Sequence, residues 1–378
     1  MSKLHAPAQW AATTILTVSR LWRKTTLRIV GIALALSILL PAATLAAGAS
    51  SVPAPFAGTA LWVTQIPAAQ TGQQLVADAA VPGVRTLYVK AAEGSTLEAQ
   101  FSEALVSEMR AAGATVCAWT FAYGQNPSAE AAAAVAAVHD GAQCLVVDAE
   151  GQYDKLYGAA QLFVRALRSQ LGAGFPIGLA GEAEILRHPT FPYSVFLGPG
   201  GFNVFLPEIY WLELGVSVDA AYAATLGGDS IYGRPILPVG QIFGAPTAAE
   251  VTRFRALARA YRSPGLSFFD LDGAPPQALA ALSAPLPLLA HRPILAPTVH
   301  AGACGDEIVQ AQELLDAAGA HLPVGGYFGA ETARAVASFQ SRHRLAPSGA
   351  LGPATWRALL RLHPREPSWA SAPPVCEQ

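Results

Sequence analysis

Short β-rich apolar runs alternate with alanine-rich helical stretches from about residue 50 onwards. This alternation predicts parallel strands that are joined by crossover helices. Eight such runs in about 240 residues match the size of a (β/α)8 barrel, so we predict an α/β fold with a TIM-like barrel. The predicted strands are Thr59–Ile66, Arg85–Ala91, Thr115–Tyr123, Gln143–Glu150, Pro176–Ala180, Val204–Trp211, Ile236–Phe243 and Leu266–Asp270.

Local signals predict where some helices begin. Ser95 followed by Glu98, and Thr247 followed by Glu250, have the spacing of a capping box, in which two side chains satisfy first-turn amides. Pro127 suits the first turn of a helix, where its missing N–H costs nothing. We therefore expect helices to start at these three places.

A proline-rich segment separates the barrel pattern from a second, purely helical one. After it, a glycine, an apolar residue, a glycine and a threonine at a helix start occur at Gly326, and the same device returns 23 residues later at Gly349. This repeat predicts a small all-α domain of three helices. The predicted parts are a barrel over residues 50–283, a linker over 284–301, a helical domain over 302–364 and a tail over 365–378.

Two acids at the end of the fourth predicted strand are the main candidates for chemistry. Because side chains alternate along a strand, Asp148 and Glu150 share a face with Cys144 and Val146. Acids at the end of an apolar strand are costly unless a cleft uses or solvates them. The alternative is a strand that simply runs out into a polar turn.

The carboxyl ends of barrel strands meet at one rim, where active sites of this fold lie. Aromatic faces stack on sugar rings while carboxylates and amides bind hydroxyls, so a rim of this composition suits a sugar ligand. We predict Asp148 and Glu150 as catalytic residues. Lys90 could instead pair with Glu93 or Asp148, and Trp119 could fill the barrel. The predicted substrate-binding residues are Gln65, Lys90, Glu93, Trp119, Tyr123, Glu208, Tyr210, Trp211, Gln241 and Asp270.

Composition restricts the compartment and the partners of the chain. Its 378 residues are 52% hydrophobic and 13% charged with a formal net charge of -2, which provides no electrostatic footprint for nucleic acid. Basic residues precede an apolar run at 29–40, and the first acid is Asp78. Residues 1–49 are thus either a cleaved signal peptide or a membrane anchor through residues 29–47. Both alternatives predict an extracytoplasmic protein.

The four cysteines can pair outside the cytoplasm. Cys304 and Cys376 flank the helical domain, and we predict a disulfide between them. Cys117 and Cys144 lie at similar heights in consecutive strands, so they either touch or stay as buried thiols. The histidines lack the short spacing of a zinc site, so we expect no metal and no cofactor, and we expect a monomer.

The helical region from about residue 302 to 362 resembles the peptidoglycan-binding domain type 1 family. The matching residues are Val309, Gln312, Leu315, Gly326, Phe328, Gly329, Thr332, Ala335, Val336, Phe339, Gln340, Gly349, Gly352, Thr355, Trp356 and Leu359. The resemblance implies a compact module that binds bacterial cell-wall glycan or its stem peptides, with peptidoglycan as the partner. The residues it assigns to this module are Gln312, Phe328, Thr332, Phe339, Gln340, Thr355 and Trp356.

The barrel region resembles, more distantly, the family 25 glycoside hydrolases, which are lysozyme-like muramidases. The motifs are Leu87 to Gly94, Trp119 to Tyr123, Val147 to Glu150 and, loosely, Glu208 to Trp211. The Asp-x-Glu strand end also resembles the family 18 chitinase-like barrels. Both resemblances imply that Glu150 is the general acid. They also imply that Asp148 orients the 2-acetamido group of the substrate as that group attacks the anomeric carbon.

One departure from family 25 concerns the first strand, which ends in an Asp in that family. Residues 61–65 contain no acid here, and none precedes Asp78. Either the activity differs, another acid substitutes, or the barrel only binds. The predicted function is an exported wall protein that binds peptidoglycan and hydrolyses its glycan strand. The alternative is a non-catalytic wall-binding or scaffolding protein with a degenerate glycosidase barrel.

Overall fold

The computed structural model of the chain describes residues 52–365 and 368–369. Eight parallel strands form a closed barrel, because the first strand pairs with both the second and the last. This confirms the predicted barrel, in which all eight predicted strands occur. The barrel strands are β1 (Gly58–Val63), β2 (Val84–Glu93), β4 (Thr115–Ala122), β5 (Cys144–Ala149), β6 (Ile177–Glu182), β7 (Val204–Ile209), β8 (Val239–Gln241) and β9 (Gly265–Phe269).

Helices connect the barrel strands, and three further helices follow at the C-terminal end, as predicted. The connecting helices are α1 (Gly72–Asp78), α2 (Glu103–Ala111), α3 (Pro127–His139), α4 (Tyr157–Leu171), α5 (Tyr193–Phe196), α6 (Val218–Asp229) and α7 (Ala248–Ala260), and α8 (Pro276–Ala281) follows the last strand. The C-terminal helices are α9 (Asp306–Ala317), α10 (Ala330–Arg342) and α11 (Pro353–Leu359). The predicted segment at residues 1–49 and most of the predicted tail lie outside the described residues.

Two of the three predicted helix starts are confirmed. Thr247 forms a full capping box at α7, and Pro127 occupies the first turn of α3. The start at Ser95 is wrong, because the chain turns back there into the short strand β3 (Thr96–Leu97), which pairs antiparallel with the end of β2. The helix begins only at Ser102, whose hydroxyl accepts a hydrogen bond from the Leu105 amide.

The strands separate two apolar layers, as the alternation of side chains requires. One layer fills the barrel, and the other lies between the strands and the helices. In the inner layer the Trp62 indole donates to the Ser267 hydroxyl at 2.9 Å. The buried members of the inner layer are Phe56, Ala60, Trp62, Tyr88, Cys117, Trp119, Cys144, Val146, Ala180, Val204, Leu206, Leu237 and Val239.

A disulfide joins two neighbouring strands inside the barrel. Cys117 on β4 and Cys144 on β5 are register partners, and their Cα atoms lie 4.5 Å apart. Of the two alternatives that the sequence left open for this pair, direct contact is the one observed. The predicted partner of Cys304, Cys376, lies outside the described residues, so that second bridge stays a prediction.

The barrel and the C-terminal helices belong to one compact unit. Residues 284–301 contain no helix and run along the barrel, where the Arg292 amide donates to the Ala260 carbonyl at 2.9 Å. Helix α9 is buried on almost all sides, since it packs on the barrel as well as on α10 and α11. None of the helices within the described residues has the length and apolar character that a membrane span requires.

Candidate active site

Asp148 and Glu150 stand at the carboxyl end of β5, on the side that faces the barrel interior. Cys144 and Val146, which precede them at alternate positions, belong to the inner apolar layer. Asp148 is only 6% exposed, and its Oδ1 has no hydrogen-bond partner among the described residues. Glu150 is half-buried and directly precedes a short 3-10 turn at residues 151–153. The pair therefore lies where the apolar interior of the barrel ends and its polar mouth begins.

A third carboxylate joins this pair from another strand. Glu208, near the end of β7, is half-buried, and its side chain is hydrogen-bonded to Tyr210. Carboxylate oxygens of Asp148, Glu150 and Glu208 all lie within 4.8 Å of one another. We call these three residues the acid cluster. Glu182 on β6 is the register partner of Glu208 and adds a fourth acid nearby.

Burial and mutual repulsion make ionisation of the acid cluster unfavourable. Burial is the main cause that raises the pKa of Asp148, and the charge of Glu150 adds to it. The pKa of Glu150 is raised by burial and then by the charges of Glu182 and Glu213. Burial and the charge of Asp148 raise the pKa of Glu208, against the hydrogen bond from Tyr210. The cluster can therefore retain a proton at a pH where isolated carboxyls have lost theirs.

Lys90 belongs to a separate ion pair beside the acid cluster. Its Nζ lies 2.6 Å from Oε2 of Glu93 and 5.1 Å from the ring centroid of Trp119. The Tyr123 hydroxyl donates to the same Glu93 carboxylate. Burial would raise the pKa of Glu93, but hydrogen bonds from Lys90 and Tyr123 lower it overall. Of the alternatives open for Lys90, pairing with Glu93 is the one observed.

Aromatic rings form an apolar wall beside the acids. The Trp119 ring lies 6.4 Å from that of Phe269, which in turn lies 6.1 Å from Tyr210 and 5.9 Å from Phe243, centroid to centroid. Tyr210, Phe243 and Phe269 are half-buried. Trp119 is only 3% exposed and lies at the bottom of the mouth. Phe243 and Phe269 were absent from the predicted site. The alternation that places Ser267 inside the barrel would also have indicated Phe269.

Two predicted substrate-binding residues lie away from the mouth. Trp211 is fully buried in the outer layer, with its ring 5.5 Å from that of Phe254 on α7, which corrects its predicted place at the mouth. The cause is alternation, because Tyr210 takes the inward position. Gln65 is exposed on the outer side of the strand end, and Thr64 occupies the inward position.

Two other predicted binding residues hold loops together. Gln241 is fully buried, and its Oε1 accepts from the Leu212 amide at 2.8 Å, which ties the β7 loop to β8. Asp270 accepts from the Thr64 hydroxyl at 3.0 Å and from the Gly273 amide at 3.3 Å. Both residues therefore hold the loops around the mouth in position.

The residues assigned to the wall-binding module form its interior. Two buried glutamines make the same pair of hydrogen bonds. Gln312 accepts from the Gly326 amide and donates to the Thr332 hydroxyl. Gln340 accepts from the Gly349 amide and donates to the Thr355 hydroxyl. This shared network explains the repeat in the sequence. Phe328, Phe339 and Trp356 are at most 1% exposed. The seven residues thus support the module from inside, whereas Tyr327 is 57% exposed on its surface.

The acid cluster is also the part of the described chain that could hold a metal ion. Its three carboxylates supply the hard oxygen donors that Mg²⁺, Ca²⁺ or Mn²⁺ prefer, at a mutual spacing within 4.8 Å. Protons compete for the same oxygens, because the pKa of each of the three carboxyls is raised. The cluster can therefore act as a proton store or as a cation site.

Comparison with known proteins identifies the C-terminal region. Residues 304–359 match the PG_binding_1 family of peptidoglycan binding domains. No curated protein matches the chain. A peptidoglycan-binding protein from Clostridioides difficile is 36% identical over 17% of this chain and 40% of its own, with a TM-score of 0.17, so this chain spans less than half of that relative.

The barrel is similar to solved structures at low identity. A chitinase from Chromobacterium violaceum is 13% identical, and the match covers 60% of this chain and 98% of the chitinase, with a TM-score of 0.43. The spore cortex-lytic enzyme SleL from Bacillus cereus is 10% identical, and that match covers 62% of this chain and 75% of SleL, with a TM-score of 0.48.

Proposed function

We propose that this chain, which carries a peptidoglycan-binding domain at residues 304–359, hydrolyses the glycan strand of peptidoglycan at the mouth of its barrel. The observation that carries the proposal is the acid cluster of Asp148, Glu150 and Glu208, with oxygens within 4.8 Å of one another. Crowding and burial keep a carboxyl protonated. A glycosidic oxygen needs such a proton as it leaves.

Glu150 is the general acid in this mechanism. It is half-buried at the edge of the mouth, where a substrate can reach it, whereas Asp148 lies deeper. Glu150 protonates the glycosidic oxygen while the 2-acetamido oxygen of the sugar attacks the anomeric carbon, and Asp148 orients that acetamido group. Water then opens the cyclic intermediate and returns a proton to Glu150. These roles, and the finer assignment to family 25, rest on the motif resemblance.

Glu208 is our candidate for the acid that the first strand lacks. Thr64 occupies the inward position at the end of β1, and its hydroxyl donates to Asp270. Glu208 on β7 instead brings its carboxylate within 4.8 Å of those of Asp148 and Glu150. A carboxylate there would stabilise the positive charge that develops on the sugar ring in the transition state. Tyr210, Phe243 and Phe269 supply apolar surface against which the ring can stack.

The proposed substrate supports a location outside the cytoplasm, at the cell wall. The Cys117–Cys144 disulfide supports this location, since disulfides persist in oxidising compartments. Peptidoglycan is the proposed partner. The choice between a cleaved signal peptide and an anchor at residues 1–49 stays a prediction.

The second candidate is a wall-binding protein whose barrel has no catalytic activity. It is favoured by one observation, which is that the first strand ends without an acid and residues 61–65 offer only Thr64 to the mouth. In that case the acid cluster would bind amino-sugar groups without cleaving them.

Reducing-end release from purified peptidoglycan separates the two candidates. Residues 49–378 would be compared with Asp148→Asn and Glu150→Gln variants, and with Glu103→Gln on the exposed side of α2 as the matched control. Release by the wild type and the control alone supports hydrolysis by the acid cluster. Sedimentation of all four proteins with the wall, without release by any of them, supports the binding protein.

A further inference from the structure

Asp306 opens α9, the first helix of the peptidoglycan-binding module, and its carboxylate is buried against the barrel. One oxygen accepts from the hydroxyls of Tyr157 and Ser194, and the other accepts from the Ser194 amide and the Tyr232 hydroxyl, each at 2.7 Å. The residue is 1% exposed. These donors come from α4, α5 and the turn after α6, so one side chain joins the module to three barrel segments.

The backbone of Asp306 holds a fourth segment. Its amide donates to the Pro189 carbonyl at 2.7 Å. Pro189 lies in residues 183–192, which we call the β6 loop. The loop begins directly after Glu182, which faces the acid cluster at the barrel mouth and lies 3.6 Å from His188 through its Oε2. The module therefore contacts a loop that starts at the candidate active site.

The β6 loop in turn supports the segment that follows the proposed general acid. The Lys155 amide donates to the Thr190 carbonyl at 2.8 Å, and the Tyr153 amide donates to the Glu150 carbonyl at 2.9 Å. The Tyr153 ring packs edge-on against Phe191 of the loop, with centroids 6.4 Å apart. An unbroken set of contacts thus leads from Asp306 through the loop to residues 151–156 and Glu150.

We propose that Asp306 is a positioning residue for Glu150: by docking the module, it holds the β6 loop against residues 151–156 and so fixes the general acid at the mouth. This inference rests on the proposed function and deepens it. The module is then part of the hydrolytic unit as well as its attachment to the wall.

The form of the contact favours positioning over simple adhesion. An apolar contact of similar size would hold two domains together at least as well as a buried carboxylate, but four hydrogen bonds to one carboxylate also fix direction. Residues 183–192 contain only a short 3-10 turn at Ile185–Arg187, so this loop depends on outside contacts for its position. The charge of Glu182 beside Glu150 makes the position of the loop relevant to the acid.

The test compares Asp306→Ala and Asp306→Asn with Asp316→Ala, a matched control on the exposed far end of the same helix. We expect Asp306→Ala to lower kcat on soluble, peptide-free glycan strands at least about 10-fold, since a misplacement of about 1 Å can cost about 100-fold. Binding to purified wall should change less than twofold. Hydrogen exchange at the Lys155 amide should accelerate, and the control should match the wild type in all three measurements.

Asp306→Asn retains one acceptor oxygen, so it should fall between the wild type and Asp306→Ala, and it carries the test if the alanine variant does not fold. Unchanged exchange at residues 151–156 overturns the proposal, and so does faster exchange with unchanged kcat. If the wild type releases no reducing ends, the proposed function fails. The exchange measurement then still decides whether Asp306 holds the segment after Glu150.

Discussion

A carboxylate oxygen of Glu208 on β7 lies within 4.8 Å of one on Asp148 of β5, although β6 runs between their strands. The two side chains reach each other because both point into the barrel mouth. At this distance neither acid can ionise without affecting the other, so they titrate as a coupled group. Glu150 belongs to the same group and, like Glu208, is less buried than Asp148.

Replacing Glu182 with Gln should narrow the pH range of hydrolysis. The substitution removes the negative charge that, after burial, does most to raise the pKa of Glu150, so this pKa falls and the acid loses its proton at lower pH. We expect the alkaline limb of the kcat profile to move to lower pH, and activity at pH 8 to fall at least about 10-fold. Glu103→Gln is the control. An alkaline limb that stays in place would mean that the charge of Glu182 does not raise the pKa of Glu150.

Hydrolysis by the acid cluster should retain the configuration at the anomeric carbon. Inverting enzymes separate their two carboxyl groups by about 6.5–9.5 Å to admit a water molecule, and the oxygens here lie within 4.8 Å. The first product of a β-linked strand should therefore be the β-anomer. Proton NMR of fresh digests distinguishes it from the α-anomer before mutarotation. An initial α-anomer would contradict the substrate-assisted mechanism.

Local patterns carried most of the correct inference from the sequence. The succession of β-rich runs and helical stretches located the eight strands. Side-chain alternation, which is also a local property of the chain, placed Asp148 and Glu150 on one face of β5. The same rule, applied to β7, would have separated inward Tyr210 from outward Trp211. Trp211 and Gln65 follow their strands at outward positions, so alternation directs both side chains away from the mouth.

Contacts between distant segments could not be read from the sequence in this way. In the sequence, Asp306 is an acid in the first turn of a helix, where its negative charge would interact favourably with the helix dipole. Its partners Tyr157, Ser194 and Tyr232 lie far back in the chain and meet only in the folded protein. The helix start predicted at Ser95 is wrong for a related reason, because the pairing of Thr96 with the end of β2 overrides the local capping signal.

Removing the disulfide inside the barrel should destabilise the protein. Cys117 and Cys144 are 27 residues apart, and closing such a loop stabilises the folded state by about 3.5 kcal/mol in the chain-entropy model. We expect a loss of this order in Cys117→Ala, Cys144→Ala, measured by guanidinium unfolding. A reducing agent should destabilise the wild type more than the double variant, in which only the predicted Cys304–Cys376 bridge can be reduced. Equal sensitivity of the two proteins would contradict this account.

Gln340 and Gln312 should be equally important for the module. Replacing Gln340 with Leu leaves the Gly349 amide and the Thr355 hydroxyl without their buried partner, at a cost of about 1–3 kcal/mol for each group. We expect unfolding at lower denaturant and weaker sedimentation with the wall, because the loop that begins at Gly349 loses its support. Gln312→Leu should have the same effect, and Glu331→Gln on exposed α10 should have none.

The stability of the docked module should fall as the pH rises from about 4 to 6. Burial raises the pKa of Asp306 from 3.8 to about 6, against the hydrogen bonds from Ser194, Tyr157 and Tyr232. The folded protein thus keeps a proton on Asp306 that the unfolded chain has lost. The stabilisation is complete below pH 4 and disappears as the pH passes 6, and a shift of this size corresponds to roughly 3 kcal/mol.

Guanidinium unfolding of the wild type and Asp306→Asn at intervals between pH 4 and pH 7 tests this dependence. The pKa of Glu307 is raised to about 7, mainly by burial and further by the charge of Asp306, so the difference between the two proteins reports Asp306 together with its effect on Glu307. We expect that difference to change mainly below pH 6. Parallel pH curves for the two proteins would mean that Asp306 is ionised in the folded protein throughout, and that its four hydrogen bonds offset the cost of burying its charge.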